Sequence, residues 1–315
     1  MLITCRPLKK FLGVVQTLSS MTTDVEKLEC CKLDLETMVD DHRLLGFDII
    51  MWCLDTTLGV IEKARKDFKF SGEANTADVV VYLSGHGYEN EDGSKSYLLV
   101  VDKDGSADPT MDSGNVCIQN ELQEIAQDAD NSDYGILIMN ACLLRKVKNK
   151  DGEVEKNKAS QKENTLKLTM TPYFKQQVVW WATSKQRIAR GGGQGEMSLF
   201  TKYLHDGFEK VIKGDISELT YAVRSSELYI GGIQALKTWV HANVCEEAAA
   251  KLRTGSTERI AQQPLLDDTK AREAFTWALP PRPVLPLPDA RSDCTDLRKI
   301  VKDDAILYLC SERGI

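Results

Sequence analysis

The stretch Ala77-Asp78-Val79-Val80-Val81-Tyr82-Leu83-Ser84-Gly85-His86-Gly87 is a continuous apolar run that breaks off in a histidine held between two glycines. Its apolar residues do not alternate with polar ones, so the run suits a strand buried on both faces, as a parallel sheet requires. Working outward, Gly135–Asn140 is a second such strand and Gln177–Ala182 a third, with shorter strands expected at Phe11–Gln16, Phe47–Trp52 and Tyr97–Val101. Between them lie helical patterns. Leu28–Leu45 carries Leu28, Leu35, Met38 and Val39 before Gly46 stops it. Leu58–Phe68 and Val116–Gln127 read as helices too, and Ser198–Lys213 has Leu199, Phe200, Tyr203, Leu204 and Phe208 on its apolar side. This βαβα succession predicts an α/β fold with a mostly parallel central sheet sandwiched by helices.

The bulk properties exclude several classes. The 315 residues carry 40 Lys+Arg against 47 Asp+Glu, a formal charge of −7. That balance offers no footprint for nucleic acid or for an anionic membrane. No apolar run approaches the roughly 18 residues of a spanning helix. Arg6, Lys9 and Lys10 precede Phe11–Val15 in the manner of a signal peptide, but the run is short, is broken by Gln16 and lacks a small-residue cleavage site. It reads instead as the first strand. The nine cysteines form an odd set with no Cys-x-x-Cys pair, and no His-Glu-x-x-His occurs, so neither a zinc site nor a disulfide framework is indicated. Reduced thiols and a cytoplasmic location are expected.

Two segments stand apart. Residues 143–175 hold nine Lys/Arg against four acids and read as a long loop. Pro280–Pro288 reads as a stiff strap, with an SH3-type ligand as the alternative. The expected division is a main domain over 1–265, with the basic loop inside it, and a strap and tail over 266–315.

In doubly wound sheets, ligands bind beyond the C-terminal strand ends. Two strands here end in chemically able residues: Ser84-Gly85-His86-Gly87 and Asn140-Ala141-Cys142. Of the four histidines (42, 86, 205 and 241), only His86 stands at such an end. A thiol needs a neighbouring imidazole to become thiolate, and then N–H donors aimed at a developing oxyanion. The amides of Gly87 and Cys142 are the candidates for that hole.

His86 and Cys142, 56 residues apart, give the chain over roughly residues 10–265 a resemblance to the caspase, metacaspase and paracaspase peptidases. Leu45-Gly46-Phe47, Ala182-Thr183-Ser184 and Ser198-Leu199-Phe200-Thr201 also look like that superfamily's elements. The resemblance implies a caspase-like fold and a cysteine endopeptidase acting on protein substrates, with Cys142 as nucleophile and His86 as acid/base. It implies no metal or organic cofactor. It also makes 143–175 a self-cleaved linker, with Arg145, Lys146, Lys148 and Lys150 as sites for a basic-specific enzyme and Asp151 for an acidic-specific one. A homodimer and an activating partner both stay open.

For the substrate pocket, Cys31-Lys32-Leu33-Asp34 is similar to the Cys-x-x-Asp of metacaspases, whose Asp helps bind a substrate Arg or Lys. Ser84 matches a position lining the same pocket, and Ser184 belongs to the loop across the cleft. Asn140 stands where metacaspases and paracaspases have an acid and caspases a glutamine. Arg190 falls near one of the two arginines with which caspases bind a substrate Asp, and Leu28 roughly where the other would be. A basic substrate residue is favoured over an acidic one. Leu143-Leu144-Arg145 departs from the family pattern after the nucleophile, and Gln119-Asn120 replaces paired calcium-binding aspartates, so calcium dependence is not expected. Arg190–Gly195 lacks the lysine of a phosphate loop and reads as a lip over the cleft. The rival readings are a catalytically inactive caspase-like module that binds a partner, and a legumain-like or separase-like peptidase.

Overall fold

A computed structural model describes residues 8–18, 28–71, 77–90, 95–103, 106–107, 112–125, 134–141, 143–145, 147–148, 154–155, 174, 176–183, 192, 195–213, 231–253, 262, 264–267 and 306–310. The first half contains β1 (Leu8–Val15), α1 (Cys30–Leu44), β2 (Ile49–Leu54), α2 (Leu58–Phe70), β3 (Ala77–Ser84), β4 (Gly87–Glu89), β5 (Ser96–Leu98), β6 (Val116–Cys117) and α3 (Ile118–Ile125). The second half contains β7 (Tyr134–Asn140), β8 (Leu143–Arg145), β9 (Val147–Lys148), β10 (Val154–Glu155), β11 (Gln176–Trp181), α4 (Leu199–Lys213), α5 (Gly231–Arg253), β12 (Leu265–Asp267) and β13 (Ile306–Cys310).

The main sheet runs β12-β11-β7-β3-β1-β2-β13. Every neighbouring pair in it is parallel except β11 with β12. Because side chains alternate across a strand, each strand feeds two cores. Phe11, Val80, Tyr82, Ile136, Ile138 and Trp180 face one side, where α1, α4 and α5 cover them. Leu12, Val79, Val81, Leu137, Met139 and Trp181 face the other, under α2 and α3. The continuous apolar character of β3 and β7 follows from this double burial, and Trp180-Trp181 places one indole in each core.

The sheet reverses its order between β1 and β3, so the crevice beyond their C-termini is where a ligand belongs. Gln16, just past β1, donates its backbone N–H to Ser84 at the end of β3 at 2.9 Å. A second sheet, β6-β5-β4-β8, continues from these strand ends.

Several expectations shift. The strand foreseen at Tyr97–Val101 is β5, and it lies in the small sheet. The helix foreseen from Val116 opens as β6 and becomes helical at Ile118. Within 143–175, the described residues include β8, paired to β4, and the two short antiparallel strands β9 and β10. The strap at Pro280–Pro288 lies outside the described residues, while β13 pairs in parallel with β2 at the sheet's edge.

Candidate active site

The ends of β3 and β7 are in register: Ser84 pairs with Asn140. Three residues on, Gly87 pairs with Leu143 as β4 runs beside β8. His86 sits half-buried in the turn between β3 and β4, between these two paired positions in sequence. The turn that delivers it depends on Gly85, whose φ is +149°, and whose added Cβ would lie 2.9 Å from the Gln16 carbonyl oxygen. Only glycine takes that backbone without strain. The His86 carbonyl accepts from the Leu99 N–H at 2.8 Å. Gly87 and Leu98 are thereby a non-hydrogen-bonded antiparallel pair, and the Gly87 N–H faces away from β5.

The other histidines have structural occupations. His42 is wholly buried among Phe11, Phe47 and Phe208, its Nδ1 lies 2.7 Å from the Met38 carbonyl, and burial lowers its pKa to about 3. His205 pairs with Asp41 at 2.9 Å, tying α4 to α1. His241 lies 3.8 Å from the Cys245 sulfur, one turn along α5.

Beneath the strand ends lies a buried polar cluster, built on α1, β3, β7 and the start of α4. Asp34, on the second turn of α1, is 0% exposed. The Asn140 side-chain nitrogen lies 2.9 Å from Asp34 Oδ2, 3.1 Å from the Tyr82 hydroxyl, 3.2 Å from Ser84 Oγ, 2.8 Å from Ser198 Oγ and 3.1 Å from Thr201 Oγ1. An amide has two hydrogens, so it can serve only two of these five oxygens at once. Asp34 Oδ1 accepts the Ser198 backbone N–H at 2.9 Å. Ser198 stands immediately before α4, and its Oγ accepts the Thr201 N–H at 3.4 Å, the bond of an N-cap. The positive end of α4 is therefore aimed at Asp34. Burial raises the Asp34 pKa to about 6, while hydrogen bonds from Ser198, Asn140 and Thr201 hold it below what burial alone would give. At neutral pH the group is a carboxylate. The same burial, with the Asp34 charge beside it, pushes the Tyr82 phenol well above its usual range.

Cys31 adjoins the cluster through a hydrogen bond from Ser84 Oγ to its sulfur at 3.2 Å. Cys30, Cys31 and Asp34 bring their ligand atoms within 4.8 Å of one another, all three buried. The hydrogen bond between the two thiols raises Cys31 well above the ordinary thiol range and lowers Cys30. The Gly192 backbone N–H also reaches Cys30. Gly192 is itself constrained: an added Cβ would lie 2.3 Å from the carbonyl oxygens of Glu196 and Met197.

Of the residues singled out from the sequence, the structure thus brings Cys31, Asp34, Ser84 and Asn140 together, next to the turn that carries His86 and Gly87. Cys142, Ser184 and Arg190 lie outside the described residues, as do Lys146, Lys150 and Asp151. Arg145 and Lys148 are on β8 and β9. Sequence reasoning missed Tyr82, Ser198 and Thr201 as members of the cluster. Ser198, a helix-capping residue at the head of an apolar periodic segment, carried the one readable signal. Chemically, the cluster is one carboxylate ringed by neutral oxygens and an amide, with no basic side chain among its described members.

On α3, Gln119 Oε1 accepts the Ser96 N–H at 2.9 Å, and Glu121 is ion-paired with Arg65 at 2.6 Å. These side chains are engaged with protein partners.

A family model for the caspase domain matches residues 19–228, two thirds of the chain. No curated protein matches the chain.

Proposed function

This chain belongs to the caspase-domain family of cysteine peptidases, and from that membership we propose that it is an active endopeptidase with Cys142 as nucleophile and His86 as general acid/base. The observation that carries the reading is the register around the pair. Ser84 with Asn140 before it, and Gly87 with Leu143 after it, are each separated in sequence by the same interval as His86 and Cys142. Neighbouring strands lie about 4.8 Å apart, and an imidazole and a thiol at matched sequence positions would need to close to roughly 3 Å to exchange a proton. The imidazole takes the thiol proton, the thiolate attacks the scissile carbonyl, and the imidazolium returns the proton to the leaving amine. Water then hydrolyses the acyl-enzyme. The N–H groups of Gly87 and Cys142 are the proposed oxyanion donors.

The proposed substrate residue is basic. A buried carboxylate among hydroxyls accepts a guanidinium or ammonium, and an acidic residue would find repulsion there. Arg190 is the residue that an acidic preference would need. Self-cleavage is proposed within 143–175, at Arg145, Lys146, Lys148 or Lys150, with Asp151 as the site an acidic preference would select. Protein substrates and a cytoplasmic location complete the proposal.

The test compares the parent protein with Cys142→Ala against fluorogenic peptides ending in Arg, Lys, Asp or Asn, with intact mass followed in parallel. Cleavage by the parent alone, fastest after Arg or Lys, is the expected result. Equal turnover by Cys142→Ala would overturn the nucleophile, and preference for Asp would overturn the pocket. No cleavage of any peptide or of the chain itself would leave a caspase-like binding module as the reading.

A further inference from the structure

We propose that Cys30, Cys31 and Asp34 form a binding site for a thiophilic divalent cation, Zn²⁺ in the first instance, at the head of α1. Placing the metal beside the substrate pocket rests on the basic-residue reading above; the metal site itself does not. The three groups sit on one helix, where residues three and four apart share a face. Asp34 is therefore next to both thiols, and the ligand atoms converge within 4.8 Å. Tetrahedral zinc with Zn–S near 2.3 Å and Zn–O near 2.0 Å needs its ligand atoms about 3.5–4 Å apart, which side-chain rotation can supply from the present spacing.

The donor set selects the metal. Two thiolates and one carboxylate are soft enough for zinc and wrong for calcium or magnesium, which take oxygen ligands. All three side chains are buried on the apolar face of α1, so they lie in low-dielectric surroundings that strengthen metal–ligand attraction. Each of the three groups also has a hydrogen-bonding partner beside it. Ser84 Oγ lies 3.2 Å from the Cys31 sulfur, the Gly192 N–H reaches Cys30, and Asn140 and the Ser198 N–H hold the two carboxylate oxygens. Such outer partners fix ligand orientation. Three protein ligands leave the fourth position to water.

Binding displaces the two thiol protons to solvent as the Zn–S bonds form; nothing is oxidised or reduced. It also commits Asp34 to the metal. A zinc-loaded chain therefore lacks the carboxylate that the basic substrate residue would meet, and zinc acts as a competitive inhibitor through the pocket and not through the catalytic thiol.

The experiment titrates Co²⁺ into the full chain bearing Cys142→Ala, so that the proposed nucleophile cannot contribute. The expected result is one equivalent of Co²⁺ with thiolate-to-cobalt charge-transfer absorption and tetrahedral visible bands, both displaced by Zn²⁺. Cys30→Ser with Cys31→Ser abolishes the bands. Asp34→Asn keeps the charge transfer but weakens Co²⁺ binding roughly tenfold or more. Should the double variant fail to fold, Cys31→Ala alone loses about half of the charge-transfer intensity, and Cys117→Ser and Cys245→Ser lose none. Absent bands, or bands that survive loss of Cys30 and Cys31, would overturn the site. The spectra require no turnover, so the cobalt signature together with a parent chain that cleaves no peptide sinks the peptidase reading and leaves the metal site standing. In an active chain, Zn²⁺ raises KM for an Arg peptide with kcat unchanged; a fall in kcat alone overturns the competitive placement.

Discussion

The side-chain amide of Asn140 donates to the Asp34 carboxylate at 2.9 Å, joining the end of a central strand to a helix 106 residues away in sequence. The same nitrogen lies close to four hydroxyls, so a neutral donor occupies the centre of an oxygen cage. A charged substrate side chain that reaches Asp34 must take over part of that amide's role. The two residues together therefore set both the charge and the accessibility of the proposed pocket.

Replacing Asp34 with Asn separates its two roles. Its folded pKa, about 6, is above the ordinary 3.8 because of burial. A raised carboxyl favours the folded state fully below pH about 4, and that contribution is lost as pH rises through about 6. The parent accordingly loses on the order of 3 kcal/mol from this group across that interval, and Asp34→Asn does not. Urea unfolding at pH 4, 5, 6 and 7 reads the difference between the two proteins; a flat difference would show that the carboxyl is not held as described. On activity, kcat/KM for an Arg peptide falls about thirtyfold or more, matching the roughly 2 kcal/mol or more carried by a buried charged contact.

Asn140→Asp puts a second carboxylate within hydrogen-bonding distance of the first. Like charges so close cannot both ionise freely, and the pair shares a proton. The acid limb of the kcat/KM profile for Arg peptides moves up by about one pH unit or more, and stability at pH 8 drops relative to pH 5. An unmoved acid limb would count against Asp34 as the group that meets the substrate.

The main sheet was legible because β3 and β7 are buried on both faces and so lose polar alternation. The small sheet was not, since strands of two or three residues such as Gly87–Glu89 and Val116–Cys117 are too short to show a period. The helix Gly231–Arg253 went unread for another reason. In sequence it opens on two glycines preceded by Ile230 and not by a polar capping residue, and among its described residues the buried stripe is Leu236, Val240, Val244 and Ala248. The pocket residues Asp34, Ser84 and Asn140 were reached through family resemblance, whereas Tyr82, Ser198 and Thr201 join them only through tertiary packing of three separate elements. Cys30 and Cys31 match no metal-ligand spacing in the chain direction, and their convergence on Asp34 appears only once α1 is folded.

Gly85→Ala tests the turn before His86. The new methyl meets the Gln16 carbonyl at 2.9 Å in a backbone region that L-residues avoid. That costs about 1–3 kcal/mol of stability. Because His86 is the next residue, catalysis suffers beyond the stability loss: a displacement near 1 Å costs on the order of 100-fold. Thermal unfolding and kcat measured on the same preparation separate the effects. Full activity in a destabilised variant would mean that the turn does not position the imidazole.

Arg65→Met probes the join between α2 and α3. Glu121 is fully buried, Arg65 lies 2.6 Å from its Oε1, and its Oε2 has no hydrogen-bond partner among the described residues. Burial already raises the Glu121 pKa to about 7, and the guanidinium is the main influence opposing it. Removing the guanidinium leaves a buried charge unpaired, at a cost of about 3–5 kcal/mol when the carboxyl is ionised. The carboxyl can escape that cost by binding a proton, so the sign with pH is fixed: the folded pKa rises further, and the variant's deficit grows from pH 6 to pH 8. Adding Glu121→Gln to Arg65→Met removes the charge and recovers most of the loss at pH 8. A deficit independent of pH would mean that Arg65 acts through packing of its stem and not through its charge.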